Sequence, residues 1–249
     1  MLVRDRRGSI NVEFLVVILP FLMLILGIIQ LVMLYVAATL TQHAANEAVR
    51  AAVVVLDDDP RYYGGAPRNQ LHGGALASDP VDDTIERFGL GGGPSATITG
   101  SARLQAIRGA ASIPLLAISP PVTPSEKSSV ADVIGGGRPD SHAGGSARYN
   151  RSAVAVTFPE GPGATTLRDR FDIDDDVTVR VTYLYHCGVP LVRYVMCDSP
   201  GEVMHSAKAA ELRHAERPWA SELLGLSDAR FLVIQAEATL PNHGAPYEY

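Results

Sequence analysis

The chain opens with charge and then loses it. After a short basic segment, Phe14 to Ile29 carries no polar side chain, and beyond Gln30 the apolar character resumes as far as Ala38. At about 1.5 Å per helical residue, residues 14–38 span roughly 38 Å, enough to cross a hydrocarbon layer of about 30 Å with some tilt. The periodicity then changes. Leu40, Ala44, Ala48, Ala51 and Val55 recur at steps of four or three and make one apolar stripe, while His43, Glu47 and Arg50 share the opposite face. Glu47 and Arg50 are spaced for a weak surface pair of about 0.3 kcal/mol. The stripe must pack on something, either the chain's own sheet or helices of neighbouring chains. Asp57-Asp58-Asp59-Pro60 ends the helix. Acids are unfavourable at its negative end, and a proline disfavours helix in the residue before it.

Alternation predicts strands further on. Ala153–Phe158 reads as one. Val177, Val179, Val181, Tyr183 and Tyr185 alternate with Thr178, Arg180, Thr182 and Leu184, which predicts a half-buried strand with a polar face. Leu191–Met196 is placed to return antiparallel to it, and Phe231–Leu240 alternates again. Ala96–Thr99 is expected to start a strand, with a further stretch near Ala102–Ile107. Ser199-Pro200-Gly201-Glu202 is a capping-box signature with proline at the first helical position, opening a helix to about Glu216. Short helices are also expected at Pro80–Phe88 and Trp219–Leu226. Residues 57–95 and 112–150 are rich in glycine and proline and read as loops, the second as a long surface insertion. The tail Pro241–Tyr249 is expected to trail along the surface.

The fold class expected is α+β. A long N-terminal membrane-spanning helix continues into a stalk and packs on a domain with a small antiparallel sheet and one or two short helices. The expected divisions are a leader at 1–8, a membrane helix at 9–38, a helical stalk at 39–56 and an extracytoplasmic domain at 57–249. Within the membrane helix, Pro20 removes a backbone donor and is expected to kink or loosen it, and Gly27 offers a small-residue surface to another helix.

Charge orients this arrangement. The chain has 249 residues and a net charge of −6. In the leader, Arg4, Arg6 and Arg7 outweigh Asp5, whereas acids predominate after the apolar run. The positive-inside rule therefore puts the N-terminus in the cytoplasm and the large domain outside. An acidic exterior argues against nucleic acid, whose phosphates it would repel. A cleaved secretory signal fits poorly. Its apolar core would be about 7–15 residues long, and Ala37-Ala38-Thr39 only approximates a cleavage site. A plain single-pass anchor explains the length of the run but not Glu13. A carboxylate at the hydrocarbon edge costs about 2–3 kcal/mol unless it has a partner, although at the interface it can snorkel or protonate.

Candidate chemistry elsewhere is thin. For Cys187 and Cys197 outside the cytoplasm, a disulfide is the default reading, and closing so short a loop contributes about 2–3 kcal/mol. Metal binding with His186 and His205 is the alternative, but the spacings match no familiar zinc pattern, and free thiols remain a third state. Asp172, Asp174 and Asp176 resemble the start of a calcium loop, which then fails at Val177 and Tyr183, where glycine and glutamate are needed. An acidic turn before a strand is the simpler reading. Gly91-Gly92-Gly93-Pro94 lacks the lysine of a phosphate loop. Asp140-Ser141-His142 are adjacent in a glycine-rich stretch, whereas triad members come from separate elements. No cofactor and no enzymatic activity are expected.

The N-terminal spacing says more. Gly8, with Glu13 five residues on and an apolar helix after it, resembles the processing signal of type IV prepilins. That resemblance implies a cut between Gly8 and Ser9 by a membrane-embedded prepilin peptidase. It also implies a pairing of Glu13 with the new α-amino group of Ser9 on a neighbouring subunit, each offsetting the other's desolvation. Arg7-Gly8, then Val12-Glu13-Phe14, Pro20, Gly27 and an alanine-rich helix ending Ala48-Val49-Arg50-Ala51-Ala52, is similar to the TadE-like pseudopilins of tight-adherence (Tad) pilus systems. Phe14 stands where the major Flp pilins of these systems carry tyrosine, and the chain is far longer than they are, so the resemblance is to a minor pilin. It implies a bacterial inner-membrane protein whose partners are the prepilin peptidase, other pilins or pseudopilins, the inner-membrane assembly platform and membrane lipid. The alternative is a membrane-anchored envelope protein that does not polymerise, with the helix as a tether.

Overall fold

The structure is a computed structural model. It describes residues 7–71, 101–120, 142–215 and 229–242, with side chains from Phe14 onward apart from Leu15, Arg148 and residues 142–145. One helix, α1 (Arg7–Asp57), runs unbroken through the apolar segment and the stripe, with Pro20 inside it. It ends where the acids and Pro60 require. Asp59 then caps a 3-10 turn at Pro60–Tyr63, and Gly64 closes that turn with φ 60°, a left-handed conformation that glycine adopts without steric cost.

Two further helices follow, α2 (Ala102–Leu115) and α3 (His142–Ala153), and α3 leads directly into β1 (Val154–Thr157). The sheet has three antiparallel strands in the order β1-β2-β3, with β2 (Asp176–His186) in the middle and β3 (Phe231–Pro241) at the far edge. Val154 pairs with Tyr183 on one side of β2, and Ile234 pairs with Tyr183 on the other. Between β2 and β3 lie α4 (Arg193–Met196), α5 (Pro200–His205) and a 3-10 turn at Lys208–His214. The α+β class and the small antiparallel sheet are as the sequence predicts.

Several local expectations are corrected. Ala102–Ile107 is not strand but the first half of α2. Ser101 caps it by accepting from the Leu104 amide, and Leu104, Ile107, Ala111 and Leu115 are buried at helical spacing. The 112–150 insertion is likewise not all surface loop. Its two ends belong to α2 and α3, where Tyr149 and Asn150 are buried. Leu191–Met196 does not pair with β2; it makes a turn and α4, because β1 and β3 already occupy both edges of β2. The capping box at Ser199 is present, with the Glu202 carboxylate accepting from the Ser199 amide at 2.7 Å, but the helix breaks at Ser206 and resumes as the 3-10 turn. The acidic run at 172–176 is a turn before a strand, with Asp174 at φ 72°. The expected elements at 80–88, 96–99 and 219–226, and the tail from 243, lie outside the described residues.

β2 is also more buried than its alternation predicts, since every residue from Val177 to Tyr185 is buried. Its valine and tyrosine face packs under the helices. Its polar face is covered by the Lys208–His214 turn and the loop near Gly163. There the Arg180 guanidinium donates to Glu211 and to Glu237, both at 2.6 Å, and to the Ala164 carbonyl at 2.6 Å. A charge can be buried on a sheet when it is paired and hydrogen-bonded in this way.

Candidate functional site

Gly8, Ser9 and Glu13 fall in the first turns of α1. Their side chains lie outside the described residues, so the structure places the backbone of this segment and no contact of the carboxylate. From Phe14 to Ile29 no described side chain is buried; Phe14, Val16, Val17 and Leu19 are each well over half exposed. A protein in water does not leave an apolar surface of this length uncovered. The helix is long and apolar enough to cross a membrane.

Gln30 ends that exposure. It is fully buried, and from there one stripe of α1 faces the domain: Leu34, Ala37, Thr41, Ala44, Ala45, Ala48, Val49, Ala52, Val55 and Leu56. Leu40 and Ala51, expected within it, lie at its margin, and the stripe is rotated toward Thr41, Ala45 and Val49. Alanine dominates because small side chains let the helix lie close on α2 and on β2 and β3. The Thr41 hydroxyl is satisfied by the Ala37 carbonyl at 2.7 Å, and Gln42 donates to the Glu237 carbonyl of β3 at 2.9 Å. The stripe therefore packs on the chain's own domain. On the outer face, Arg50 lies 3.5 Å from Glu47, which also lies 3.9 Å from His43.

Residues 8–50 match the TadE-like protein family. Over this segment the N-terminal helix is similar to that of TadE-like proteins. The match covers the N-terminal helix and none of the domain that follows it. The matched segment takes in Gly8, Ser9 and Glu13, the whole exposed apolar stretch and most of the buried stripe. No curated protein and no solved structure matches the chain.

The domain that this helix carries is held to it by a side chain that the sequence did not single out. Arg103 of α2 is fully buried at the end of α1. It donates to the carbonyls of Val55, of Asp58 at 2.9 Å and of Ala66 at 3.0 Å, and its guanidinium lies 4.5 Å from the centre of the Tyr63 ring. It thus supplies donors to carbonyls that the helix terminus leaves open. A second polar cluster sits under the sheet. The Tyr183 hydroxyl lies 3.1 Å from that of Ser119, which also donates to Asn150, and the Tyr149 hydroxyl donates to the Leu184 carbonyl at 2.6 Å. Burial pushes the Tyr149 and Tyr183 phenols well up, so both stay neutral and act as structural hydrogen-bonding groups.

Cys187 and Cys197 are joined by a disulfide, with Cα atoms 6.6 Å apart. The oxidised reading therefore holds, and the alternatives of thiolate ligands and free thiols fall. His186 precedes it, edge-on to the Phe231 ring at 5.7 Å. Among the described residues, no three His, Cys, Asp or Glu side chains converge as a metal site would require. Asp140 and Ser141 lie outside the described residues, and His142 begins α3.

Burial, and then the Arg193 guanidinium, hold the His186 imidazole below its ordinary pKa. The unfolded chain takes up this proton near pH 6.5, at about the free imidazole value, while the folded chain resists it. The neutral form's contribution is thus complete above that value and is lost as pH falls toward the folded pKa. Thermal unfolding of the detergent-solubilised chain should weaken through this window more in the wild type than in His186→Phe. A difference between the two that does not change with pH would contradict the assignment.

Proposed function

We propose that the chain is a TadE-like minor pilin or pseudopilin. It is made as a precursor, cut between Gly8 and Ser9 by a prepilin peptidase, and joined to a Tad pilus or its assembly machinery. The observation that carries this reading is the coincidence of the family match with the exposed apolar helix that starts just after Glu13. The cut exposes an α-amino group at Ser9. Pairing it with Glu13 of a neighbouring subunit relieves the desolvation of both charges, which neither can escape alone in hydrocarbon.

The packing limits how subunits meet. From Gln30 to Leu56 one side of α1 is taken by the chain's own domain, so the face left for other subunits along the whole circumference is the stretch before Gln30. Inter-subunit contact there would be helix on helix. The partners that fit are other pilins or pseudopilins presenting the same kind of helix, and the inner-membrane platform that gathers them.

Glu13→Ala should be processed normally and yet be lost from the sheared pilus fraction, or from complexes with other pilins, by about tenfold or more if the pair is worth at least 1.4 kcal/mol. Glu13→Gln should show the same defect, because the amide keeps the shape and removes the charge. Incorporation at the wild-type level in both variants would remove the charge pairing from the account and favour a tethered protein that does not polymerise.

A further inference from the structure

The end of the sheet nearest the apolar part of α1 carries an exposed apolar loop that the fold itself does not use. Its height follows from the register. Gln42 donates to the Glu237 carbonyl, and twelve residues earlier the buried Gln30 amide lies near the Tyr185 hydroxyl without a hydrogen bond to it; the strand partner of Tyr185 is Leu232. Twelve helical residues cover roughly 18 Å and the five strand residues from Leu232 to Glu237 about 17 Å, so α1 runs alongside β3 and the two keep level. At the other end, the Asn69 amide donates to the Leu56 carbonyl and the Asn242 amide reaches Asn69. The C-terminal end of β2, and Cys187 just beyond it, therefore sit at the level of Gln30.

At that level the outward face of α1 is still apolar. Leu31, Val32, Met33, Tyr35 and Val36 are exposed, with Tyr35 at 75 %. Polar positions on that face begin only at Thr39. Counting from Phe14, where the apolar run begins, about 30 Å of helix ends near Leu34, about one turn beyond Gln30, and the following turns fall in the outer interfacial layer.

In the loop closed by Cys187 and Cys197, Val189 and Val192 are buried and anchor it, while Leu191, Tyr194 and Val195 point outward, Val195 at 75 % exposure. Leu191 has φ 66°, a left-handed conformation unfavourable for a branched side chain that gains nothing from burial in the domain. Two cations frame the apolar tip. Arg193 and Arg230 lie over the Tyr194 ring at 4.9 and 5.1 Å, and Arg193 also donates to the Tyr194 hydroxyl at 2.9 Å. Glu202, which also caps at Ser199 just past Cys197, stands 3.7 Å from Arg230. Tyrosine flanked by arginine beside exposed aliphatic side chains is the composition of a membrane interface, where rings sit among headgroups and guanidinium groups reach phosphate.

We propose that this disulfide-closed loop is a second membrane contact. Leu191, Tyr194 and Val195 enter the outer interface of the bilayer that α1 crosses, and Arg193 and Arg230 meet lipid phosphate. The domain would then be held against the membrane until the subunit is drawn out of it. The inference rests on α1 spanning a bilayer and is independent of processing or polymerisation.

The test uses the full chain in vesicles of phosphatidylcholine and phosphatidylglycerol whose acyl chains are brominated near the carbonyl. Val195→Trp, Tyr35→Trp and Val54→Trp are each compared with the parent, which has one tryptophan, so that the added emission is read. All three positions are exposed and tolerate the ring. Tryptophan at 195 should lose about half or more of its added emission, as at 35, while that at 54, near the far end of the domain, keeps it. Quenching at 35 without quenching at 195 would overturn the loop contact and leave the membrane span standing. Quenching at neither would overturn both. Quenching at 195 that fades as the protein-to-lipid ratio rises would assign the loop to a second copy of the chain and overturn the lipid contact.

Discussion

Arg103→Ala should lower the stability of the folded domain by about 4 kcal/mol, counting about 1 kcal/mol or more for each carbonyl left without a donor and about 1 kcal/mol for the stacked ring. For a domain of this size that is a fall of roughly 8–16 °C in unfolding midpoint. The reason is geometric. Val55, Asp58 and Ala66 lie on the last turn of α1 and the turn after it, and Arg103 reaches all three from α2. Burial lowers the pKa of this guanidinium, with the nearby Tyr63 and Asp58 acting the other way. Arg103→Lys keeps a charge but cannot span three carbonyls with a planar fork, so it should recover less than half of the loss. Thermal unfolding in detergent, followed by circular dichroism, separates the domain from the helix, because the apolar half of α1 stays helical throughout. An unchanged midpoint in Arg103→Ala would remove Arg103 from the account of how the domain is fixed to α1.

Gly8→Leu should leave the chain at its full precursor mass, with no detectable product starting at Ser9. A peptidase must bring its groups close to the carbonyl it attacks, and a glycine offers no Cβ to obstruct them. The effect is expected to be all or none in intact mass, whereas Glu13→Ala should be cut like the wild type. The two variants therefore separate processing from assembly. Normal processing of Gly8→Leu would show that the cut, if there is one, lies elsewhere.

What could be read from the sequence follows how far apart the interacting groups are. The end of α1 was legible because Asp57, Asp58, Asp59 and Pro60 are consecutive, and the capping box because Ser199 and Glu202 are three residues apart. β2 and β3 were legible through alternation over many residues. α2 resembles a strand in sequence because its first residues mix alanine with single apolar positions; the signal that identifies it is Ser101 as cap followed by Leu104, Ile107 and Ala111. Leu191–Met196 is not legible as a turn and helix, because a short apolar run does not distinguish strand from helix and the occupation of both edges of β2 is a tertiary fact. The same distinction holds at the site. Gly8, Ser9 and Glu13 form a local pattern and could be named. Arg103 and Arg180 could not, because their partners lie 48 residues away at Val55 and 57 residues away at Glu237. The polar face of β2 predicted solvent for the same reason, since nothing near Arg180 in sequence announces the two carboxylates that cover it.

The measurement that bears most directly on the account is the N-terminal residue and intact mass of the chain isolated from its own membrane, in cells with an active prepilin peptidase. The account predicts a chain that starts at Ser9 and lacks the mass of residues 1–8. A chain that starts at Met1 under those conditions would contradict it, and would leave α1 as the tether of an envelope protein outside the prepilin pathway.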